Sequence, residues 1–207
     1  MYSIKEIYKT IQGEGAQAGR TAVFVRFAGC NLWTGKEKHR ANAVCQFCDT
    51  DFVGTNGVNG GNYSAKELVL KLNALWGNSD NKLIVFTGGE PMLQLDCDLI
   101  QACKKNGFDT AIETNGTIFI DFDIDWVCVS PKYGSELLVK HGNELKVVFP
   151  QEGQNLNNFL DLKFDHLYLQ PMDGVNGKDN TAKTIQYCLE NPEWKLSIQQ
   201  HKLIGMP

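Results

Sequence analysis

Several features are scarce in this chain of 207 residues, and each scarcity narrows what the protein can be. No apolar run approaches the roughly 18 residues that a membrane-spanning helix needs. Basic residues do not dominate, because 20 Lys and Arg stand against 24 Asp and Glu, and a net charge of -4 does not suit a nucleic-acid backbone. The N-terminus has no basic stretch followed by an apolar one, as a secretory signal would. We therefore expect a cytoplasmic protein with no membrane association and no direct nucleic-acid partner.

Disulfide bonds are not expected either, because the chain has seven cysteines, an odd number, and cytoplasmic thiols stay reduced. Three of them lie close together in sequence: Cys30 is followed, after 14 residues, by a C-x2-C pair formed by Cys45 and Cys48. Clustered thiols in a reducing compartment indicate metal or redox chemistry. The other four are expected to pack as small apolar side chains in predicted helices and strands; they are Cys97, Cys103, Cys128 and Cys188.

Three thiolates suit two kinds of metal centre. They can hold three irons of a 4Fe-4S cluster and leave the fourth iron open, whereas a structural zinc site normally closes with four ligands. The spacing alone leaves both centres possible, since His39 or a distant cysteine would complete a zinc site. Unligated core thiols are the third possibility.

The fold class follows from the order of the apolar segments. Runs of β-branched and aromatic residues alternate with segments of helical period, which is typical of βα units around a parallel sheet. The clearest helix covers residues 62–77, where Ser64 and Glu67 form a capping box and Gly77 can end the helix. Too few strands are present for a closed eight-stranded barrel of about 250 residues, so we predict an α/β fold with a partial, incomplete βα barrel of mostly parallel strands. The predicted strands cover residues 21–29, 82–89, 109–114, 125–130, 144–149, 166–170 and 194–199, and further helices lie within 92–106, 156–163 and 181–190.

A second candidate site is the stretch FTGGEP at the end of the predicted strand 82–89. Gly88 and Gly89 would let a ligand approach the backbone, and Glu90 can accept hydrogen bonds from an amine or a hydroxyl. Barrel sites lie at the C-terminal ends of strands, and Cys30 also follows a strand. A plain strand-to-helix turn is the alternative. The Gly- and Asn-rich stretch 54–62 has no phosphate-binding spacing, and we predict a mobile loop there.

Together, the cysteine triad, the GGEP stretch and the incomplete barrel resemble the radical S-adenosylmethionine (SAM) superfamily. Six segments resemble, more narrowly, the 7-carboxy-7-deazaguanine synthase family of queuosine and 7-deazapurine biosynthesis: IYKTIQGEGAQAGRTAVFVRFAGCNLW, CDTDF, TGGEP, VSPK, YLQPMDG and SIQQHKLIGMP. The resemblance implies a single radical SAM core domain over residues 1–207.

One spacing departs from that superfamily. The ligands are usually spaced C-x3-C-x2-C, whereas this chain has C-x14-C-x2-C, which indicates a subfamily with an expanded cluster loop. The cluster-binding loop insertion covers residues 31–44. Its stretch TGKEKHRAN would be an extra helix, a docking face for the electron donor or a solvated loop, and we expect the solvated loop.

The resemblance also implies a reaction and its cofactors. The chain would be a carbon-nitrogen lyase that converts 6-carboxy-5,6,7,8-tetrahydropterin to 7-carboxy-7-deazaguanine by radical ring contraction with loss of ammonia. Its cofactors would be SAM, a 4Fe-4S cluster on Cys30, Cys45 and Cys48, and Mg2+ on Thr50. From the residues alone, an equally good interpretation is that Thr50 caps a turn with Asp49 and binds no metal. A flavodoxin or ferredoxin would donate electrons, and the chain would be a homodimer.

By the same resemblance, two sets of residues surround the ligands. The first would bind SAM and comprises Phe47, Gly88, Gly89, Glu90, Ser130, Pro131, Lys132, Gln170, Pro171, Met172 and Asp173. The second would bind the pterin and comprises Ile11, Gln12, Gly13, Glu14, Arg26, Thr87, His201 and Pro207, the last through its terminal carboxylate. Without the resemblance, Arg26 between Val25 and Phe27 would be expected to point outward. No side chain is identified as a general acid or base.

Two other functions share part of this pattern. A radical SAM activase that places a glycyl radical on a partner protein uses the same cysteines and GGEP but has no need of Arg26 or IQGEG. A non-catalytic zinc or iron-sulfur module needs only the cysteines. Iron content, colour and pterin conversion distinguish these functions.

Overall fold

The computed structural model describes residues 1–206, which form nine strands and four α-helices. The strands are β1 (Tyr2–Ile11), β2 (Thr21–Phe27), β3 (Gly61–Tyr63), β4 (Lys82–Gly88), β5 (Phe108–Thr114), β6 (Trp126–Val129), β7 (His141–Phe149), β8 (Lys163–Pro171) and β9 (Lys195–Leu196). The α-helices are α1 (Ala65–Trp76), α2 (Cys97–Lys105), α3 (Gly177–Glu190) and α4 (Gln200–Ile204). Short 3-10 helices cover Gly15–Gln17, Glu37–Asn42, Pro91–Leu93 and Leu156–Phe159.

All nine strands belong to one sheet with the order β3-β1-β2-β4-β5-β6-β7-β8-β9. Strand β1 is antiparallel to β2 and β3, and every other neighbouring pair is parallel. The sheet ends at β3 and β9 and does not close, so the predicted incomplete barrel with mostly parallel strands is confirmed. The carboxyl ends of parallel strands meet at one edge, which is where such folds place their sites.

The two faces of the sheet differ in chemistry. Helices α1 and α2 cover one face with an apolar core that includes Leu72 and Ile100, and α3 covers the part around β8 and β9. Side chains alternate between the faces along a strand. Val25 and Phe27 of β2 therefore enter the core, whereas Arg26 between them turns to the opposite face.

Helix α1 begins where the sequence predicts it. The Ser64 hydroxyl accepts a hydrogen bond from the Glu67 amide at 3.3 Å, and the Glu67 carboxylate accepts one from the Ser64 amide at 2.8 Å. This capping box satisfies amides that have no partner within the helix. Leu68, Val69, Leu72 and Trp76 share the buried face.

Replacing Ser64 by alanine is expected to lower the free energy of unfolding by about 1 kcal/mol, because one end of the capping box is lost. Urea denaturation followed by circular dichroism measures this change. Ser79→Ala is the matched control, since only the backbone carbonyl of Ser79 accepts a hydrogen bond, from Trp76 Nε1. Equal midpoints for the two variants would contradict the capping role.

Several predicted elements differ from the structure. The largest difference is strand β1, which the sequence analysis did not predict. A register shift between Ile4 and Glu6 interrupts the alternation of β1, and Ile4, Ile7 and Ile11 are left at helix-like intervals. The predicted helix over 156–163 is wrong, because Asn155 accepts a hydrogen bond from the Asn157 amide and only one 3-10 turn forms.

Three smaller expectations also need correction. The strand over 194–199 shrinks to β9 because the chain turns away after Leu196. The loop 54–60 is tied to β1 by hydrogen bonds from Ile7 N to Val58 O and from Gly57 N to Lys5 O. Cys97 is exposed on α2 and is not a packed side chain, whereas Cys103 and Cys128 are buried as expected.

None of the helices within residues 1–206 has the length and apolar composition that crossing a lipid bilayer requires.

Candidate active site

The carboxyl ends of the strands surround one cavity of about 430 Å³. The turn after β1, the ends of β2, β4, β5, β6, β7 and β8, and helix α4 all contribute to its wall. Most residues that the sequence singled out meet here. They are Ile11, Gln12, Gly13, Glu14, Arg26, Cys30, Cys45, Phe47, Cys48, Thr50, Thr87, Gly88, Gly89, Ser130, Lys132, Gln170, Pro171, Asp173 and His201.

Three predicted site residues do not line the cavity. Pro131 is buried. The Met172 amide donates a hydrogen bond to Phe149 O, and the Met172 carbonyl accepts one from the Asn180 side chain. Glu90 is fully buried and accepts hydrogen bonds from Met92 N, Thr114 Oγ1 and Asn115 N at 2.7 to 2.9 Å. It joins the end of β4 to the end of β5, and burial raises the pKa of its carboxyl. Pro207 lies outside the described residues.

The three clustered thiols form one wall of the cavity. Cys30 follows β2, and its Sγ lies 3.4 Å from the Leu32 amide that donates to it. A hydrogen bond from Cys45 lowers the pKa of Cys48 to about 6, and the same bond raises the pKa of Cys45. The ammonium of Lys132 also favours thiolate at this wall, and burial lowers the pKa of Lys132. One thiol of the pair is therefore ready to bind a metal as thiolate.

The donor set fits an iron-sulfur cluster. Within residues 1–206, no three His, Cys, Asp or Glu side chains gather tightly enough for a single metal ion. A 4Fe-4S cluster takes one thiolate on each iron, so its ligands need not converge on one centre. His39, the candidate fourth zinc ligand, is exposed and lies 2.8 Å from Thr34 Oγ1, away from the cavity wall.

In the segment 31–44, which we predicted to be an insertion with a solvated loop, a 3-10 helix covers Glu37–Asn42 and none of its residues is buried. The stretch is therefore exposed to solvent as expected, but it forms a short helix and not an irregular loop. Arg40 on this helix donates to Gln46 O at 2.9 Å and to Cys48 O at 3.1 Å. Its guanidinium also lies 4.0 Å from the centre of the Trp33 ring. Arg40 thereby connects the insertion to the segment that carries the C-x2-C pair.

The glycines at the end of β4 are needed for close packing within the protein. A Cβ atom on Gly89 would lie 2.2 Å from Gly29 O and 2.6 Å from Cys30 Cβ. Only glycine therefore lets the end of β4 approach the segment that presents Cys30. The pair Gly88 and Gly89 still forms part of the cavity wall.

The cavity wall also carries an ion triad centred on a buried lysine. Lys146 Nζ lies 2.9 Å from Glu14 Oε2 and 2.9 Å from Glu113 Oε2, and its side chain is only 5% exposed. Burial raises the pKa of Glu14, but the charge and hydrogen bond of Lys146, with a hydrogen bond from Gln199, outweigh burial and lower it to about 2. Burial likewise opposes the charge of Lys146, yet the surrounding anionic groups hold its pKa well above the usual value.

Arg26 points into the cavity, so the outward orientation is wrong. Its Nε donates to Glu6 Oε1 at 2.8 Å, and its Nη2 donates to Tyr8 Oη at 2.9 Å. These contacts fix the plane of the guanidinium, which suits bidentate binding of a carboxylate.

The sequence reasoning missed several polar residues of the wall, namely Lys5, Glu113, Asn115, Lys146 and Lys202. A signal for Lys146 was present. In ELKVVF, Glu144 and Lys146 alternate with Leu145 and Val147, and charged residues at alternate positions of a strand facing a barrel interior indicate a site. Glu113, Asn115 and Lys202 lie in or next to the last residues of a strand or in a five-residue helix, where periodicity carries little information. Lys5 lies at the register shift of β1, which interrupts the alternation.

An open, mostly parallel sheet with three thiols and two glycines at its carboxyl edge matches the radical SAM class of enzymes. The fold agrees with a crystal structure of QueE from Escherichia coli, with a TM-score of 0.74 and 27% identity over 97% of this chain and 94% of that one.

Sequence relatives narrow the class to one family. The chain is 55% identical to the 7-carboxy-7-deazaguanine synthase of Bordetella pertussis, over 100% of this chain and 99% of the relative. It is 53% identical to the synthase of Caulobacter vibrioides with the same coverage. No family model matches. The chain belongs to the 7-carboxy-7-deazaguanine synthase family.

Proposed function

We propose that this protein converts 6-carboxy-5,6,7,8-tetrahydropterin to 7-carboxy-7-deazaguanine, with loss of ammonia, as a radical SAM enzyme of queuosine biosynthesis. The observation that carries the proposal is the meeting of two sets of groups in one cavity. The three thiols and the Gly88–Gly89 turn form the first set, and the fixed Arg26 with the Glu14 carboxylate forms the second. The first set suits the cofactors, and the second suits an anionic substrate with ring N–H groups.

Cys30, Cys45 and Cys48 would hold a 4Fe-4S cluster through three irons and leave the fourth for SAM. When bound, the cluster and SAM would supply the one-electron chemistry that starts the ring contraction. Gly88, Gly89, Ser130, Lys132, Gln170 and Asp173 would contact SAM, and Phe47 between the paired cysteines would shield it. Lys132 is held by bonds from its Nζ to Ser130 O at 2.6 Å and Ser130 Oγ at 2.7 Å.

Toward the substrate, the side chains of this protein would act by orienting the pterin and excluding water. Arg26 would bind the substrate carboxylate, and Glu14, kept ionised by Lys146, would accept hydrogen bonds from the ring N–H groups. Ile11, Gln12, Gly13, Thr87 and His201 would complete the pocket. Thr50, also on the wall, would bind Mg2+ next to the substrate carboxylate, because Mg2+ prefers oxygen ligands and keeps most of its waters.

We also propose the setting in which the enzyme acts. The chain would form one core domain with residues 31–44 as an insertion, would assemble as a homodimer in the cytoplasm, and would receive electrons from a flavodoxin or ferredoxin. All seven cysteines are free thiols, which suits a reducing compartment.

The test of the function is an anaerobic assay of the reconstituted protein with SAM, Mg2+, reductant and the carboxytetrahydropterin. Formation of the deazaguanine product supports the proposal. A brown protein that consumes SAM but leaves the pterin unchanged would favour a glycyl-radical activase, and a colourless zinc protein would reject both enzymes.

Arg26→Lys is expected to reduce kcat/KM for the pterin by about ten- to one-hundred-fold, because lysine cannot bind a carboxylate through two parallel hydrogen bonds. Steady-state kinetics at saturating SAM measures the change. Arg20→Lys is the control, since Arg20 pairs with Asp109 at the surface away from the cavity. Equal losses in both variants would argue against a substrate contact.

A further inference from the structure

Helix α4 covers the cavity without an apolar anchor. It is five residues long, none of its residues is buried, and Leu203 and Ile204 are exposed. Nevertheless Gln199, His201 and Lys202 line the cavity. Burial of apolar surface is the main force that holds a helix in place, and α4 does not have it. Polar contacts must therefore hold α4 over the cavity.

The chain is firmly anchored just before α4. Ser197 is buried, its amide donates to Leu169 O at 2.8 Å, and its hydroxyl accepts from Gly15 N at 3.0 Å. Beyond Ser197, two hydrogen bonds reach one wall of the cavity, from Gln199 Nε2 to Glu14 Oε1 and from Gln200 N to Gly13 O, both at 3.0 Å. Both of these bonds involve the turn after β1.

Lys202 makes the contacts to the other walls. Its Nζ lies 2.7 Å from Asp49 Oδ2 and 2.6 Å from Asp173 Oδ2. Asp49 follows the last clustered cysteine, and Asp173 follows β8, so one ammonium joins two separate segments of the wall. The side chains of the three residues are between 40% and 51% exposed, so these ion pairs can break without uncovering a buried charge.

We propose that Lys202 is a positioning residue that latches α4 over the cavity. With the latch closed, His201 is held against Gly13 and the wall between Asp49 and Asp173 is fixed. With the latch open, residues 198–206 move away from the cavity, and substrate enters or product leaves. The inference rests on the proposed function for its kinetic readout alone.

The experiment compares Lys202→Met and Lys202→Arg with the wild type as reconstituted enzymes. Lys202→Met is expected to raise KM for the carboxytetrahydropterin about five-fold with kcat not reduced, which is the scale of two partly exposed ion pairs. Lys202→Arg, which keeps the charge, should recover most of that loss. Hydrogen exchange in residues 198–206 should be faster in Lys202→Met and unchanged elsewhere.

The matched control is Lys183→Met on the exposed side of α3, which should leave KM and exchange at wild-type values. In the wild type, KM should also rise with salt from about 0.05 M to about 0.5 M, and this rise should be weaker in Lys202→Met. An unchanged KM with unchanged exchange in Lys202→Met would overturn the latch, as would an arginine variant as impaired as the methionine variant. If the wild type leaves the pterin unconverted, the proposed function fails, and the exchange measurement still decides the latch.

Discussion

The Cys48→Ala variant, reconstituted anaerobically, is expected to form no detectable product. Its iron content should be less than half of that of the wild type, for which we expect about four irons per chain. The substitution would remove one of the three proposed cluster ligands, and it also removes the hydrogen-bond partner of Cys45. Two remaining thiols cannot hold three irons, so the open iron that SAM needs is not presented. Iron analysis and the pterin assay measure the two effects.

Cys97→Ala is the control for that experiment. Cys97 is an exposed thiol on α2 that accepts a hydrogen bond from Gln101 and takes no part in the cavity. It should retain wild-type iron and turnover. Full iron content in Cys48→Ala would mean that another side chain completes the cluster and that the assignment of the C-x2-C pair is wrong.

Lys146→Met is expected to lower the free energy of unfolding by about 3–5 kcal/mol, because it leaves Glu14 and Glu113 without their shared cation in a buried wall. Product formation should fall by about one-hundred-fold or more, since Glu14 loses both charge and orientation. Urea denaturation and the pterin assay report the two losses.

The same variant should change the pH dependence. In the wild type, the pKa of Glu14 is lowered to about 2, so the stability from its ionisation is present above its usual value near 4.5 and disappears as pH falls towards 2. Without Lys146, burial would dominate and raise this pKa. The acid limb of kcat/KM should then move to higher pH.

The double variant Lys146→Met/Glu113→Gln tests the cause. Removing one of the two unpaired carboxylates should restore part of the stability, whereas a simple packing defect would not be relieved. An unchanged acid limb in Lys146→Met would show that Glu14 is not the group that Lys146 controls.

Local signals in the sequence predicted the parts of this fold that local interactions decide. Helix α1 follows from the Ser64 and Glu67 capping box and from one apolar face, both within residues 64–76. The strand ends that carry Cys30 and Gly88 follow from apolar runs, and parallel pairing brings such ends to one edge.

The rest depends on pairings between distant segments. The contact of Lys146 with Glu14 requires β1 and β7 to lie across the same interior, and the contact of Gln200 with Gly13 joins the two ends of the chain. Neither leaves a periodic pattern in the sequence. In β1, the register shift after Ile4 removes even the local pattern.

The bonds of Arg40 would have a thermodynamic consequence for assembly of the proposed cluster. A metal centre that joins Cys30 to Cys45 would close a loop of the chain. If this loop were flexible, ordering it would reduce the free energy gained when the metal binds. Because Arg40 already fastens residues 37–42 to Gln46 O, Cys48 O and the Trp33 ring, much of that conformational entropy is lost when the polypeptide folds. A long ligand spacing is in this way compatible with tight retention of iron.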